Sequence, residues 1–242
     1  MTALNGIDAA DAALNNARWC DAVCRTHGRP GELSASLWVN RAAAPPRYPN
    51  LVTLDRSGEP ALQAVRALGA AGLAGGWGVK DSFSTLPLHA AGFRVLFEAE
   101  WMVRPPDLRP PDRARSDIRW ERIGSAAGLL DWETAWGESR GQPRVFLPGL
   151  VDCADIAILG AFDGSSIVAG VIANRTDEVV GVSNLFAPGP DAESLRADAV
   201  RAASDAFPGL SLVGYENGGA LAASRALGFH SLGPLRVWVQ QS

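Results

Sequence analysis

Apolar residues along this chain recur at two spacings, and the switches between them mark out its elements. Residues 8–27 are alanine-rich, lack internal Gly or Pro and stop at Gly28-Arg29-Pro30, which predicts a helix. "SLWVN" and "NLVTL" read as short strands on either side of a loop carrying Pro45 and Pro46. Over 59–72, Leu62, Val65 and Leu68 fall on one face and predict a second helix. A short strand follows inside "GGWGVKDSF", and "FRVLFEAEWMV" alternates as a longer one. "RPPDLRPPDRARSD", 104–117, then breaks the pattern: it is rich in proline and charge and almost without apolar side chains. This predicts a linker over 105–116, with domains at 1–104 and 117–242.

Beyond the break the pattern restarts. "DIRWERI" predicts a strand and 124–137 a helix. "IAILGAFDG", "SIVAGVIANRT" and "EVVGVSNLFA" predict an antiparallel meander turned at Asp163-Gly164 and Thr176-Asp177-Glu178. A helix over 191–206, a strand "LSLVGYE", a helix over 217–227 and a strand "PLRVWVQ" complete the chain.

The two halves share an order of landmarks. Each opens on Asn-Leu at a strand end (Asn50, Asn184) and runs through a helix to a strand ending in an acid (Asp81, Glu216). A second helix, Gly-Phe and a Trp-bearing strand then follow, with Phe93 lying 43 positions after Asn50 and Phe229 45 after Asn184. This spacing reads as an internal duplication. The Gly-Phe pair is a structural device: glycine takes a positive φ to end the helix, and Phe enters the core.

Composition narrows the function. The 242 residues are 47% hydrophobic and 20% charged, ordinary for a globular protein. A net charge of −4 without a basic run argues against a nucleic-acid partner. No apolar stretch of about 20 residues predicts a membrane span, and the N-terminus lacks the basic start and apolar block of a signal peptide. Three cysteines, an odd number, argue against a disulfide framework and fit a reducing, cytoplasmic setting.

The second half resembles the GNAT superfamily of acyl-CoA N-acyltransferases. The resemblance rests on element order over 117–242 and on a motif of Asn, Ala, Tyr and Gly-Phe, matched here by Asn217, Ala220, Ser224, Gly228 and Phe229. Gly92-Phe93 matches only the motif's end, so the first half looks like a degenerate copy. The resemblance implies an α/β (α+β) fold of two GNAT-like units, with mixed, mostly antiparallel sheets flanked by helices. It implies acetyl-CoA or another acyl-CoA as co-substrate, a small amine as acceptor and no metal.

Applied to these residues, the resemblance places pantetheine along the strand through Asn184, Leu185, Phe186 and Ala187, whose backbone N–H groups polarise the thioester. The pyrophosphate would meet the following helix N-terminus near Ser194, and Asn217 occupies a position that often contacts the co-substrate. Ser183, Trp132 and Trp136 are candidates for the acceptor side. Glu216 is the candidate general base and Ser224 stands where the family's tyrosine protonates the thiolate. Each has a plainer reading: Asp191 and Asn217 as helix N-caps, Asn184 as a strand-end residue satisfying backbone, the tryptophans as core.

Two departures stand against the resemblance. The phosphate loop of the family is Arg/Gln-x-x-Gly-x-Gly/Ala; here it reads "PGPDAESLRA", with Asp191 near the expected Arg, and Ser194 and Arg196 near the expected glycines. Ser224 is also a far weaker acid than tyrosine. Both favour the alternative of a catalytically inactive GNAT-like module that binds a small molecule or a protein. Cys20, Cys24 and His27 share a helix face, a pattern better suited to partial burial than to a metal. The expected assembly is a monomer or a homodimer.

Overall fold

The computed structural model describes residues 6–73, 76–108, 117–137 and 143–241. Most of the predicted linker, 109–116, lies outside them. Two compact units form: Met1–Met102 with Tyr215–Leu221 and Ser231–Ser242, and Val103–Gly214 with Ala222–His230. This division differs from limits at 104 and 117 because the last strand pairs with a strand of the first half.

In the N-terminal unit, α1 (Ala9–Thr26) begins with a reciprocal cap. The Asp8 carboxylate accepts from Ala10 N at 2.7 Å, and Asp8 N donates to the Asp11 carboxylate at 2.9 Å. Ala12, Ala13, Ala17, Val23 and Cys24 are all buried, so small side chains let the helix lie close to the sheet.

The strands are β1 (Glu32–Leu33), β2 (Leu37–Val39), β3 (Leu51–Thr53), β4 (Gly78–Asp81) and β5 (Phe93–Arg104), with α2 (Glu59–Ala70) between β3 and β4. With β11 (His230–Gln240) they run in the order β1-β2-β3-β4-β11-β5. β3 and β4 are parallel, and β11 is antiparallel to β4. Val65 and Leu68 of α2 join Val39, Leu51, Val79, Phe93 and Trp238 in one core.

The helix expected before Gly92 is a single 3₁₀ turn, Leu88–Ala91. The fully buried Asp81 carboxylate takes the Thr85 and Leu86 N–H groups at 3.1 and 2.8 Å, and Pro87 follows. Only four residues then remain before Gly92, too few for an α-helix. Gly92 has φ +80°, and Phe93 meets Trp77 edge-on at 4.9 Å.

The C-terminal unit contains β6 (Arg119–Arg122), α3 (Ala126–Ala135), β7 (Ile156–Asp163), β8 (Ser166–Thr176), β9 (Val179–Phe186), α4 (Ala192–Ala206) and β10 (Ser211–Glu216) as far as Gly214. The strand order is β10-β9-β8-β7-β6. β7, β8 and β9 are the predicted meander, and β10 runs parallel to β9. Ala161 and Ala169 pack with Leu195 of α4, while Gly160 and Gly170 lie under Trp132 of α3. Neighbouring strand positions face opposite ways, so the two helices cover opposite faces, and β7 is buried on both.

α5 (Gly218–Ala226) ends in a Schellman turn. Phe229 N donates to Ser224 O at 3.1 Å and Gly228 N to Arg225 O at 3.0 Å, with Gly228 at φ +86°. The buried Arg104 caps the same end, donating through Nε to Leu227 O at 2.9 Å.

Candidate functional site

The centre of the candidate site is an irregularity in β9. β8 and β9 pair regularly up to Ile172 opposite Ser183, and the next pair is Gly170 opposite Phe186. Two steps on β8 face three on β9, so Asn184 and Leu185 form a β-bulge. Asn184 adopts φ +52°, a conformation asparagine tolerates better than most residues. Its Nδ2 donates to Ser183 Oγ at 3.0 Å.

On its other edge β9 pairs with β10 only through Val179, Val180 and Gly181. A Cβ at Gly214 would stand 2.9 Å from Val182 O, so glycine sets how closely the strands approach there. Beyond that point β9 carries Ser183, Asn184, Leu185 and Phe186, all half-buried, and then the buried Ala187.

Gly189, at φ +85°, turns the chain into α4. Asp191 stands at the N-cap position, but its side chain makes no capping bond, contrary to the N-cap expected for it. The Ser194 hydroxyl donates to Asp191 O at 2.9 Å instead. The first turn therefore presents backbone N–H groups without a side-chain cap, beside the exposed Asp191 and Glu193.

Behind the bulge lies an aromatic cluster. Phe186 meets Trp132 edge-on at 5.2 Å, and Trp136 stacks along Trp132 at 6.4 Å. Trp132 is fully buried and its N–H reaches Leu159 O at 2.9 Å, so it is a core residue; Trp136 is half-buried. A Cβ at Gly170 would lie 2.4 Å from Trp132 Nε1 and 2.5 Å from Phe186 Cε1.

The chain matches no family model and no curated protein. Solved structures do match along its length. A GCN5-related N-acetyltransferase from Kribbella flavida is 16% identical, with a TM-score of 0.61, over 96% of this chain and 95% of that one. One from Sphaerobacter thermophilus is 13% identical, TM-score 0.54, over 95% and 92%. A GCN5-related N-acetyltransferase-like protein from Streptococcus suis is 12% identical, TM-score 0.55, over 96% and 99%.

This chain has the GNAT fold. The expected fold class, a mixed, mostly antiparallel sheet with flanking helices, stands with it. Glu216 ends β10 half-buried, and Asn217 is exposed before α5, its carbonyl accepting from Ala220 N at 3.2 Å. Ser224 is half-buried on α5, and its carbonyl is engaged in the Schellman turn.

Sequence reasoning missed a carboxylate within the GNAT fold. Glu133 of α3 is buried; its Oε1 accepts from Val145 N and Phe146 N at 2.6 and 3.0 Å, and its Oε2 from Arg144 Nε at 2.9 Å. This clamp holds Phe146 against Trp132 and Trp136 at 5.7 and 5.2 Å. No local motif marks it, because its partners lie 11 to 13 residues away. Gly170 was more legible: it pairs with Gly160 in mid-sheet, and a strand-interior glycine marks a close approach.

The α1 cysteines are buried thiols. Burial pushes Cys20 from 9.0 up to about 12, against a smaller opposing pull from Lys80. Burial likewise pushes Cys24 up to about 11. Among the described residues no helix is long and apolar enough to cross a membrane.

Proposed function

We propose that the chain is an N-acyltransferase passing an acyl group from acetyl-CoA, or another acyl-CoA, to a small amine. The observation that carries this is the bulge at Asn184-Leu185 in a strand of the GNAT fold, just before a helix with an uncapped N-terminus. A bulge turns backbone N–H groups out of the ladder, which suits them to polarise a thioester carbonyl.

The backbone of Asn184, Leu185, Phe186 and Ala187 fits the extended pantetheine arm. The first turn of α4, including Ser194 N–H, suits the pyrophosphate. Asp191 and Glu193 oppose this contact: like charges about 4 Å apart repel by roughly 1 kcal/mol in water and more near a protein surface. Bound acyl-CoA supplies the activated acyl carbon. Glu216 takes the proton from the attacking amine, and CoA departs as the thiolate, with the Ser224 hydroxyl donating a hydrogen bond to its sulfur. Asn217 contacts the co-substrate, while Ser183 and Trp136 face the acceptor, beside Trp132.

Thiol release from acetyl-CoA, followed across a panel of primary amines, tests this directly. Amine-dependent release that Glu216→Gln lowers by about 10² or more supports the role of Glu216. No release above the uncatalysed rate with any acyl-CoA would contradict the proposal. A second reading is favoured by the acidic pair at the head of α4: an inactive module that binds a small molecule or a protein. It predicts no turnover and no response to CoA.

A further inference from the structure

The N-terminal unit buries an amine that has no anionic partner among the described residues. Lys80 of β4 is 4% exposed. Its Nζ donates to Asn16 Oδ1 at 2.7 Å and lies 4.3 Å from the centre of the Tyr215 ring. Those are its partners among the described residues, and neither is an anion. Asn16 and Tyr215 are both half-buried, so solvent reaches the residues that touch this nitrogen.

Asp81 and Asp21, two carboxylates of this unit, are engaged elsewhere. Asp81 holds the Thr85 and Leu86 N–H groups. Asp21 accepts from Gly31 N and Trp38 Nε1 and pairs with Arg25. Cys20, whose Sγ lies 3.8 Å from Asn16 Oδ1, keeps its proton, because burial pushes its thiol up to about 12. It supplies no negative charge at neutral pH.

A second buried polar group belongs to the same cluster. Trp101 lies edge-on to Tyr215 at 5.5 Å and donates to Ser82 O at 2.8 Å. Ser82 is wholly buried, two residues beyond Lys80, and its hydroxyl has no hydrogen-bond partner among the described residues. Buried polar groups are normally satisfied, and a buried charge is normally paired. Here an ammonium with donors to spare and an orphan hydroxyl share one aromatic-walled cluster.

We propose that this cluster is a binding site for the carboxylate of a small molecule, held by Lys80 Nζ and Ser82 Oγ. Charge selects a monoanion, since one negative charge neutralises Lys80 while a dianion leaves an excess. The donor count agrees: the two groups match in number the two oxygens of one carboxylate. The walls of Tyr215 and Trp101 suit an apolar or aromatic remainder on the ligand. The site is independent of acyl transfer.

The test uses the full-length chain and sodium acetate, with sodium chloride at equal ionic strength as reference. Thermal unfolding and calorimetry should show a saturable, one-to-one stabilisation by acetate. Lys80→Met should abolish it. Ser82→Ala should weaken acetate by about tenfold, the usual size for a hydrogen bond to a charged group, and this variant decides the matter should Lys80→Met fail to fold. A flat acetate response in the wild type, an equal response to chloride, a response surviving in Lys80→Met, or unchanged affinity in Ser82→Ala would each overturn the site.

Discussion

At Gly170 the absence of a side chain decides how β8 meets α3. Gly170→Ala puts a methyl within 2.4 Å of Trp132 Nε1, and we expect a loss of about 1–3 kcal/mol in urea unfolding, as for overpacked cores. Glu133 shows the opposite dependence, on a group that must be present. Glu133→Ala strands two backbone N–H groups and Arg144, and we expect about 3 kcal/mol of destabilisation with a weakened near-ultraviolet aromatic signal. The sequence holds the Gly170 signal openly, in two glycines at matching positions of adjacent strands. It hides Glu133, whose meaning depends on a loop closing over α3. Asn50 and Asn184 sit at matching positions of the apparent repeat yet do different work. Asn50 donates to Asn40 O and Ala42 O at 2.9 and 2.7 Å, whereas Asn184 makes the bulge.

Whole elements carry the two electrostatic predictions. At the head of α4, replacing Asp191 and Glu193 by Asn and Gln removes two negative charges from the helix turn proposed to meet pyrophosphate. Acetyl-CoA affinity should rise by about tenfold at low salt and by less at high salt, where exposed charges are screened. Unchanged calorimetric affinity would place the pyrophosphate elsewhere. In α1, the buried thiols tie stability to alkaline pH. Their folded pKa values, about 12 for Cys20 and about 11 for Cys24, lie above the ordinary 9.0. Below pH 9 both states keep their protons and stability is full. Above pH 9 the unfolded chain gives up protons first, and stability falls by about 1.4 kcal/mol per pH unit for each thiol, up to about pH 11 for Cys24 and about pH 12 for Cys20. Cys20→Ala should flatten this slope in denaturant titrations between pH 9 and 11. Most elements were legible because their apolar positions recur at helix or strand spacing. The exception before Gly92 arose because a side chain, Asp81, holds the backbone that a helix would have used.

At the scale of the molecule, the element order and the Gly-Phe ends pointed to the GNAT fold, and solved structures bear that out along the length of the chain. The composition of the units was not legible. Residues 215–221 and 231–242 complete the N-terminal unit through the pairing of β11 with β4, and long-range strand pairing leaves no local trace in sequence. The bulge was equally hidden, since "VSNLFA" reads as ordinary strand until its register is known. Acyl transfer rests on that bulge, and one calorimetric titration with acetyl-CoA tests it most directly, comparing wild type with Asn184→Gly and Asn184→Val. Glycine accepts φ +52° freely and a β-branched residue does not. The account predicts binding in the wild type and in Asn184→Gly, and its loss in a folded Asn184→Val. No heat in the wild type at millimolar acetyl-CoA, or equal binding by all three, would contradict it.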